Sequence, residues 1–265
     1  MRIAFVSDIH GNLAALDAVI ADIARRGVQQ VVNLGDMLSG PLLPLETARR
    51  LRSLDWLHIA GNHERQVLRL PPDRQGAADA YASSQLGAAE RAWLASHADP
   101  CDGRLHQATL WPERLGSDVA LCHGSPRSDI EYLLETPMGE AARLATLAEI
   151  EERLDGRIAP HIGLLACGHS HVSRSVAAAN GLLIVNPGSV GQPAFEDDHP
   201  HPLSNFHRIE TGSPAARYAV VEKLDGRWLC DLISVPYDFE SMALLADQRG
   251  RPDWSHALRT GTMPR

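Results

Sequence analysis

Five short apolar runs in this chain end in a glycine set beside an aspartate, asparagine or histidine. Ile3-Ala4-Phe5-Val6 leads into Ser7-Asp8-Ile9-His10-Gly11, and Val31-Val32-Asn33-Leu34 into Gly35-Asp36. Trp56-Leu57-His58-Ile59-Ala60 leads into Gly61-Asn62-His63-Glu64, and Val119-Ala120-Leu121-Cys122 into His123-Gly124. The fifth run, residues 162–167, leads into Gly168-His169-Ser170-His171. A short apolar run bounded by glycine and polar residues reads as a buried strand that stops at a site. Helical spacing fills the first two gaps. Asn12 can cap a helix to about Arg26, with Leu13, Leu16, Val19, Ile20 and Ile23 on one face and Gly27 as its stop; a second helix spans roughly residues 45–54. Strand, helix, strand, helix, strand predicts parallel strands with right-handed crossovers. Ligands collect beyond the carboxyl ends of such strands, where Asp8, Asp36 and Asn62 stand.

The rest of the chain is read more coarsely. Residues 77–96 predict one or two helices after a loop at Pro71-Pro72-Asp73. Residues 105–111 and 119–122 predict a strand pair joined by a polar turn over 113–118. Leu144, Leu147, Ile150 and Leu154 lie on one face of a helix expected over 139–154. The last third reads as strands at 173–178, 182–186, 217–222 and 228–235, with a turn at Pro187-Gly188-Ser189 and a polar loop over 192–204. A final helix is expected over 240–248, with a loosely held tail after Arg251. No repeat or linker divides the chain, so residues 1–265 read as one domain.

Composition narrows the partners. With 265 residues, 44% of them hydrophobic, the chain can bury one large core. The formal net charge of −8 argues against long nucleic acid, which draws a basic face. It leaves room for a small phosphorylated substrate, because bound cations invert local charge. Cys101, Cys122, Cys167 and Cys230 form no Cys-x-x-Cys pair, disulfide framework or zinc knuckle, which fits a reducing compartment. Asp8 interrupts the first apolar run too early for a signal peptide, and no stretch nears the ~20 apolar residues of a membrane span. The expectation is a cytoplasmic protein with no membrane partner.

The strand ends carry the chemistry. Asp8 and His10 are two residues apart, so in extended backbone they point to one side. A carboxylate and an imidazole aimed at one point can bind a divalent metal. Singly, each histidine is more often a hydrogen-bonded core or loop residue; five strand ends with such side chains are hard to obtain from packing alone. Taken together, Asp8-Ile9-His10, Gly35-Asp36, Gly61-Asn62-His63-Glu64, Cys122-His123-Gly124 and Gly168-His169-Ser170-His171 resemble the five ordered motifs of the calcineurin-like metallophosphoesterases. Asn186-Pro187-Gly188-Ser189 resembles a further segment of their compact bacterial phosphodiesterase branch.

The resemblance implies an α/β fold: a four-layer αββα sandwich of two mixed β-sheets flanked by helices, with a dinuclear metal site between the strand ends. It implies one divalent ion held by Asp8, His10 and His171, another by Asn62, His123 and His169, and Asp36 bridging both. Nitrogen and oxygen donors without thiolates suit manganese, iron, zinc or nickel, and manganese is the expected ion in vitro. Two such ions ~3.5–4 Å apart can share a hydroxide that attacks phosphorus in line. The resemblance gives His63 the role of general acid toward the leaving oxygen. In some branches a second aspartate shortly after the Gly-Asp motif orients this histidine; here Met37-Leu38-Ser39-Gly40 holds no acid.

The expected function is a metal-dependent phosphoesterase acting on phosphodiesters, with phosphomonoesters alongside. Two alternatives stand beside it: a metal-binding scaffold that keeps the fold without the chemistry, and a phosphatase for phosphoproteins or dinucleoside polyphosphates. The oligomeric state stays open, a homo-oligomer included. Arg65 and Arg127 could reach a substrate phosphate, but a salt bridge is the commoner fate of such residues. His199 and His201, set among Asp197, Asp198 and Pro200, read as a solvated loop.

Overall fold

Ile3 and Phe5 leave β1 (Arg2–Val6) on one side and Ala4 and Val6 on the other, as the two-residue repeat of a strand requires. The computed structural model describes residues 1–97, 106–107, 112–178, 180–197 and 206–265. Within it β1 lies in a five-stranded sheet with β2 (Gln30–Asn33), β3 (Leu57–His58), β13 (Ala216–Leu224) and β14 (Arg227–Val235), ordered β14-β13-β1-β2-β3. The strands β1, β2 and β3 run parallel, and β13 runs antiparallel to both its neighbours. A second sheet is ordered β4 (His106–Gln107), β5 (Val119–Leu121), β8 (Leu164–Ala166), β10 (Leu183–Asn186) and β9 (Arg174–Ala177), with its three central strands parallel.

Two sheets and their helices make four layers. Ile3, Phe5, Val32 and Leu34 meet Val119, Leu121, Leu164 and Ala166 between the sheets. Ala4 and Val6 instead meet Leu16 and Val19 of α1 (Leu13–Arg25). On the far side Leu165, Cys167, Cys122 and Ile184 pack on Ile150 and Leu154 of α7 (Leu147–Leu154). The mixed-sheet sandwich expected from the motifs is the fold observed. Asn12 caps α1 by accepting the Ala15 N–H at 3.1 Å.

Five local expectations are corrected. Gly61-Asn62-His63-Glu64 does not simply trail from a strand: it opens α3 (Asn62–Arg69), which follows α2 (Pro44–Arg52) and precedes α4 (Ala77–Gln85) and α5 (Ala88–His97). Residues 139–146 are not helical. The strands β6 (Glu135–Met138) and β7 (Ala141–Leu144) form a hairpin turned by Gly139 at φ 64°. The helix starts only where Thr146 and Glu149 cap each other's backbone N–H groups. The polar loop after Gln192 contains β11 (Ala194–Asp197), paired with β12 (His207–Glu210); residues 198–205, with His199 and His201, lie outside the described residues. The expected strand over 105–111 is described only at β4, and α6 (Pro112–Leu115) occupies part of the expected turn.

The fifth correction is the tail. After α8 (Phe239–Gln248), Pro252 starts α9 (Pro252–Thr260) at the position where its missing N–H costs nothing. Trp254 and Leu258 of α9 are buried with Leu42 and with Met242, Ala243 and Ala246 of α8. The chain after Arg251 is therefore part of the core and reaches the site.

Candidate metal centre

Past their carboxyl ends β1 and β2 stay joined through their loops. The N–H groups of Asp8, His10 and Gly11 donate to the carbonyls of Gly35, Asp36 and Met37 at 3.0, 3.1 and 3.0 Å. Within these loops the backbone turns left-handed at Asp8 (φ 56°), His10 (50°) and Asp36 (53°), and again at His169 (66°) and His171 (57°). Of seven non-glycine residues with positive φ among the described residues, these are five. Left-handed backbone costs an L-residue about 1–2 kcal/mol. Such strain persists where surrounding structure over-determines it, and it clusters at functional sites.

The turns aim two sets of side chains at adjoining points. Asp8, His10 and His171 bring one ligand atom each within 4.8 Å of one another, and Asp36, His123 and His169 do the same. In the first set His171 Nε2 lies 3.2 Å from His10 Nε2 and 3.4 Å from Asp8 Oδ1. In the second, His123 Nε2 is 3.1 Å from both Asp36 Oδ2 and Asn62 Oδ1. Asp8 Oδ1 is fully buried with no hydrogen-bond partner. An orphaned carboxylate oxygen in the interior is costly unless a cation or donor meets it.

The histidines are prepared as ligands. Nδ1 of His10, His123 and His171 donates to the carbonyls of Ser39, Leu34 and Gln192 at 2.7, 2.7 and 2.8 Å. A proton held on Nδ1 leaves Nε2 as the lone-pair donor, the arrangement that metal-ligating histidines use. Burial and the His171 imidazole push the His10 pKa down to about 3, and burial with His123 pushes His169 down to about 4, so both rings are neutral at pH 7. Burial pulls His123 down as well, but Asp36 outweighs it and holds the ring up at about 10. The two oxygens converging on its Nε2 call for a positive charge between them. Nitrogen and oxygen donors, an orphaned carboxylate oxygen and fixed tautomers together fit divalent cations.

His63 stands at the edge of this group, with Nε2 3.9 Å from Asp36 Oδ2. Its Nδ1 is bonded at 2.8 Å to Asp79 Oδ1, a buried carboxylate on α4. The acid missing after Gly35-Asp36 is thus supplied from a different element, without a spacing that would announce it. Burial pulls His63 down, but Asp36 and then Asp79 more than offset it and raise its pKa to about 9. Glu64, the last residue of Gly61-Asn62-His63-Glu64, has a structural part here that the sequence does not announce. Its carboxylate accepts the N–H groups of Gly61, Asp36 and Met37 at 2.8, 2.8 and 2.9 Å and so ties the Asp36 loop to the start of α3. A Cβ on Gly61 would stand 2.2 Å from Asp36 Oδ1, so only glycine lets these two loops meet.

The Asn186-Pro187-Gly188-Ser189 segment acts as a clasp. Asn186 Nδ2 donates to Gly168 O at 2.7 Å and Ser170 Oγ at 3.0 Å, and Ser189 Oγ donates to Asp8 O at 2.8 Å. In front of the ligands lies a cavity of about 580 Å³, walled by His63, Asp79, Phe195, Arg251 and Trp254 among others. Arg65, which lines it, is paired in a fork with Asp129, and Arg127 is paired with Glu131. All eight residues singled out in the sequence meet here.

The calcineurin-like phosphoesterase superfamily domain matches residues 1–203. The uncharacterized protein MJ0912 of Methanocaldococcus jannaschii is 24% identical over 271 residues, spanning 95% of this chain and 94% of its own. A crystal structure of a metallophosphoesterase from Sphaerobacter thermophilus superposes with a TM-score of 0.67 at 25% identity, covering 99% of this chain and 100% of its own. That of hypothetical protein PH1004 from Pyrococcus horikoshii reaches 0.69 at 17% identity over 99% of each chain, a likeness of fold. The matched region contains all eight of these residues, and the chain belongs to the calcineurin-like phosphoesterase superfamily.

Proposed function

We propose that this protein is a dinuclear metal-dependent phosphoesterase that hydrolyses phosphodiesters, with phosphomonoesters as secondary substrates. The observation that carries the reading is the pair of adjoining donor sets, Asp8-His10-His171 and Asp36-His123-His169, with His63 beside them and a cavity in front. Asn62 would complete the second set, and Asp36 would serve both ions. Manganese, iron, zinc or nickel suits these donors. When bound, the ions supply the Lewis acidity that makes a water nucleophilic at neutral pH and offset charge on the phosphoryl oxygens.

The chain's own residues do the rest. Asp79 holds the proton on His63 Nδ1 and thereby fixes the ring so that Nε2 faces the cavity. From there Nε2 gives a proton to the leaving oxygen as the P–O bond breaks. Glu64 keeps Asp36 from shifting when charge at the centre changes. The cavity admits a small phosphorylated molecule, and the acidic chain disfavours long nucleic acid. Among the described residues no helix is long and apolar enough to cross a membrane, and Cys122, Cys167 and Cys230 are unpaired thiols; we place the protein in the cytoplasm on this basis.

Turnover of a chromogenic phosphodiester with added manganese tests the reading. Hydrolysis that needs the metal is expected. A folded, metal-loaded protein inert toward both diesters and monoesters would overturn it.

A further inference from the structure

The four histidines of the centre are not held alike. His10, His123 and His171 each rest on a backbone carbonyl. Among the described residues, His169 has no such bond to its ring. Its imidazole instead lies between two others: Tyr132, with centroids 5.0 Å apart at 44°, and His123, 5.3 Å at 56°. Tyr132 is only 4% exposed. Its hydroxyl donates to Asp197 Oδ2 at 2.5 Å, and His207 Nε2 lies 3.3 Å from the Tyr132 hydroxyl oxygen, with the His207 ring edge-on to the Tyr132 ring. Asp197 and His207 are cross-strand partners of the β11–β12 hairpin. Two residues before Asp197, on the same face of β11, Phe195 packs on the His171 ring with centroids 4.5 Å apart. One hairpin therefore reaches both histidines of the Gly168-His169-Ser170-His171 loop.

We propose that Tyr132, anchored by Asp197 and His207 of this hairpin, is the positioning residue that stands in for the missing carbonyl at His169. The inference rests on the dinuclear reading above. A backbone carbonyl fixes both tautomer and ring plane; packing fixes the plane alone. The ion held through His169, His123 and Asn62 then depends on the hairpin for its geometry. The ion held through Asp8, His10 and His171 has two carbonyl-locked rings and does not depend on Tyr132. Outer-shell partners of metal ligands typically govern affinity by about 10–100-fold.

Calorimetric titration of chelator-stripped protein with manganese tests this. Wild type is expected to bind two ions. Tyr132→Leu is expected to weaken one of them by about 10-fold or more and leave the other unchanged. An anomalous difference map should then place the surviving ion at Asp8, His10 and His171. Tyr132→Phe keeps the ring but loses its anchor, and should weaken the same ion by less than Tyr132→Leu does. If Tyr132→Leu does not fold, Asp197→Asn loosens the anchor of the ring and should weaken the same ion by a comparably smaller amount. Unchanged affinity for both ions, or an equal loss at both, would overturn the positioning role. A wild-type protein that binds no manganese would instead overturn the dinuclear reading itself.

Discussion

The two walls of the cavity are built on different principles. On the ligand wall, five side chains sit on left-handed backbone, three imidazoles are pinned by carbonyls, and the loops after β1 and β2 are bonded residue to residue. On the opposite wall Asp79 comes from α4, Phe195 from β11 and Trp254 from α9, each reaching a ligand or His63 through one side-chain contact. The first wall stores strain in order to hold charge at fixed points, and over-determination keeps it there. The second wall supports individual rings by single contacts, so each of its residues can change with an effect confined to the ring it touches. Over-determination therefore marks the first wall, and separable contacts the second.

Substitutions on the two walls should separate accordingly, and the largest effect belongs to the ligand wall. Asp36→Ala removes the one carboxylate assigned to both ions and should leave fewer than about one manganese per chain by elemental analysis, against two for wild type. Two tightly held ions in this variant would break the comparison. Gly61→Ala should also impair metal binding, since its methyl would collide with Asp36 Oδ1. That effect would be visible as reduced manganese content with the circular dichroism of a folded protein.

Across the cavity, His63→Ala should retain both ions and slow kcat by about 10²-fold or more, the worth of a general acid. Asp79→Asn should cost less, about tenfold, because it keeps the ring in reach while weakening its support. Its direction with pH is specific. Asp79 raises the His63 pKa, and bound cations would engage Asp36, so removing the Asp79 charge is expected to lower that pKa. The acid form is then lost at lower pH, and the basic limb of the kcat profile moves toward neutrality. A basic limb that stays in place would detach Asp79 from catalysis.

The ligand wall was legible in the sequence because each of its parts is local. A strand, a glycine and a ligand occupy consecutive positions, and recurrence over five strand ends raises a weak signal to a strong one. The opposite wall was not legible, for reasons that differ by residue. Asp79 looks like any acid on a helix face until α4 folds against α3. Tyr132 gains its place only when the β11–β12 hairpin, hidden in a polar stretch, reaches it. Two misreadings had usable signals: Pro252 marks a helix start just before Trp254, and Glu64, three residues after Gly61, marks the start of α3. The hairpin at residues 135–144 was hidden by alanines and an arginine that favour helix, outweighed by the turn at Gly139.

The smallest effect lies outside both walls and serves as a control. Asp22 on α1 accepts hydrogen bonds from the Tyr218 hydroxyl at 2.6 Å and Arg26 Nε at 2.7 Å. Burial opposes its ionisation, but these bonds prevail and bring its pKa down to about 2. A depressed carboxyl pKa stabilises the fold above the ordinary value of about 3.9, and that stability is lost as pH falls toward 2. Asp22→Asn should cost on the order of 1–3 kcal/mol at neutral pH with metal content unchanged, and the two melting curves should converge in acid. A constant gap down to pH 2 would contradict the assignment.

The central claim is that two cations share this centre. Crystals grown with manganese, examined for anomalous scattering, test it most directly. Two peaks about 3.5–4 Å apart are expected, one enclosed by Asp8, His10 and His171, the other by Asn62, His123 and His169, with Asp36 between them. A single peak at full manganese loading, or peaks away from these side chains, would contradict it.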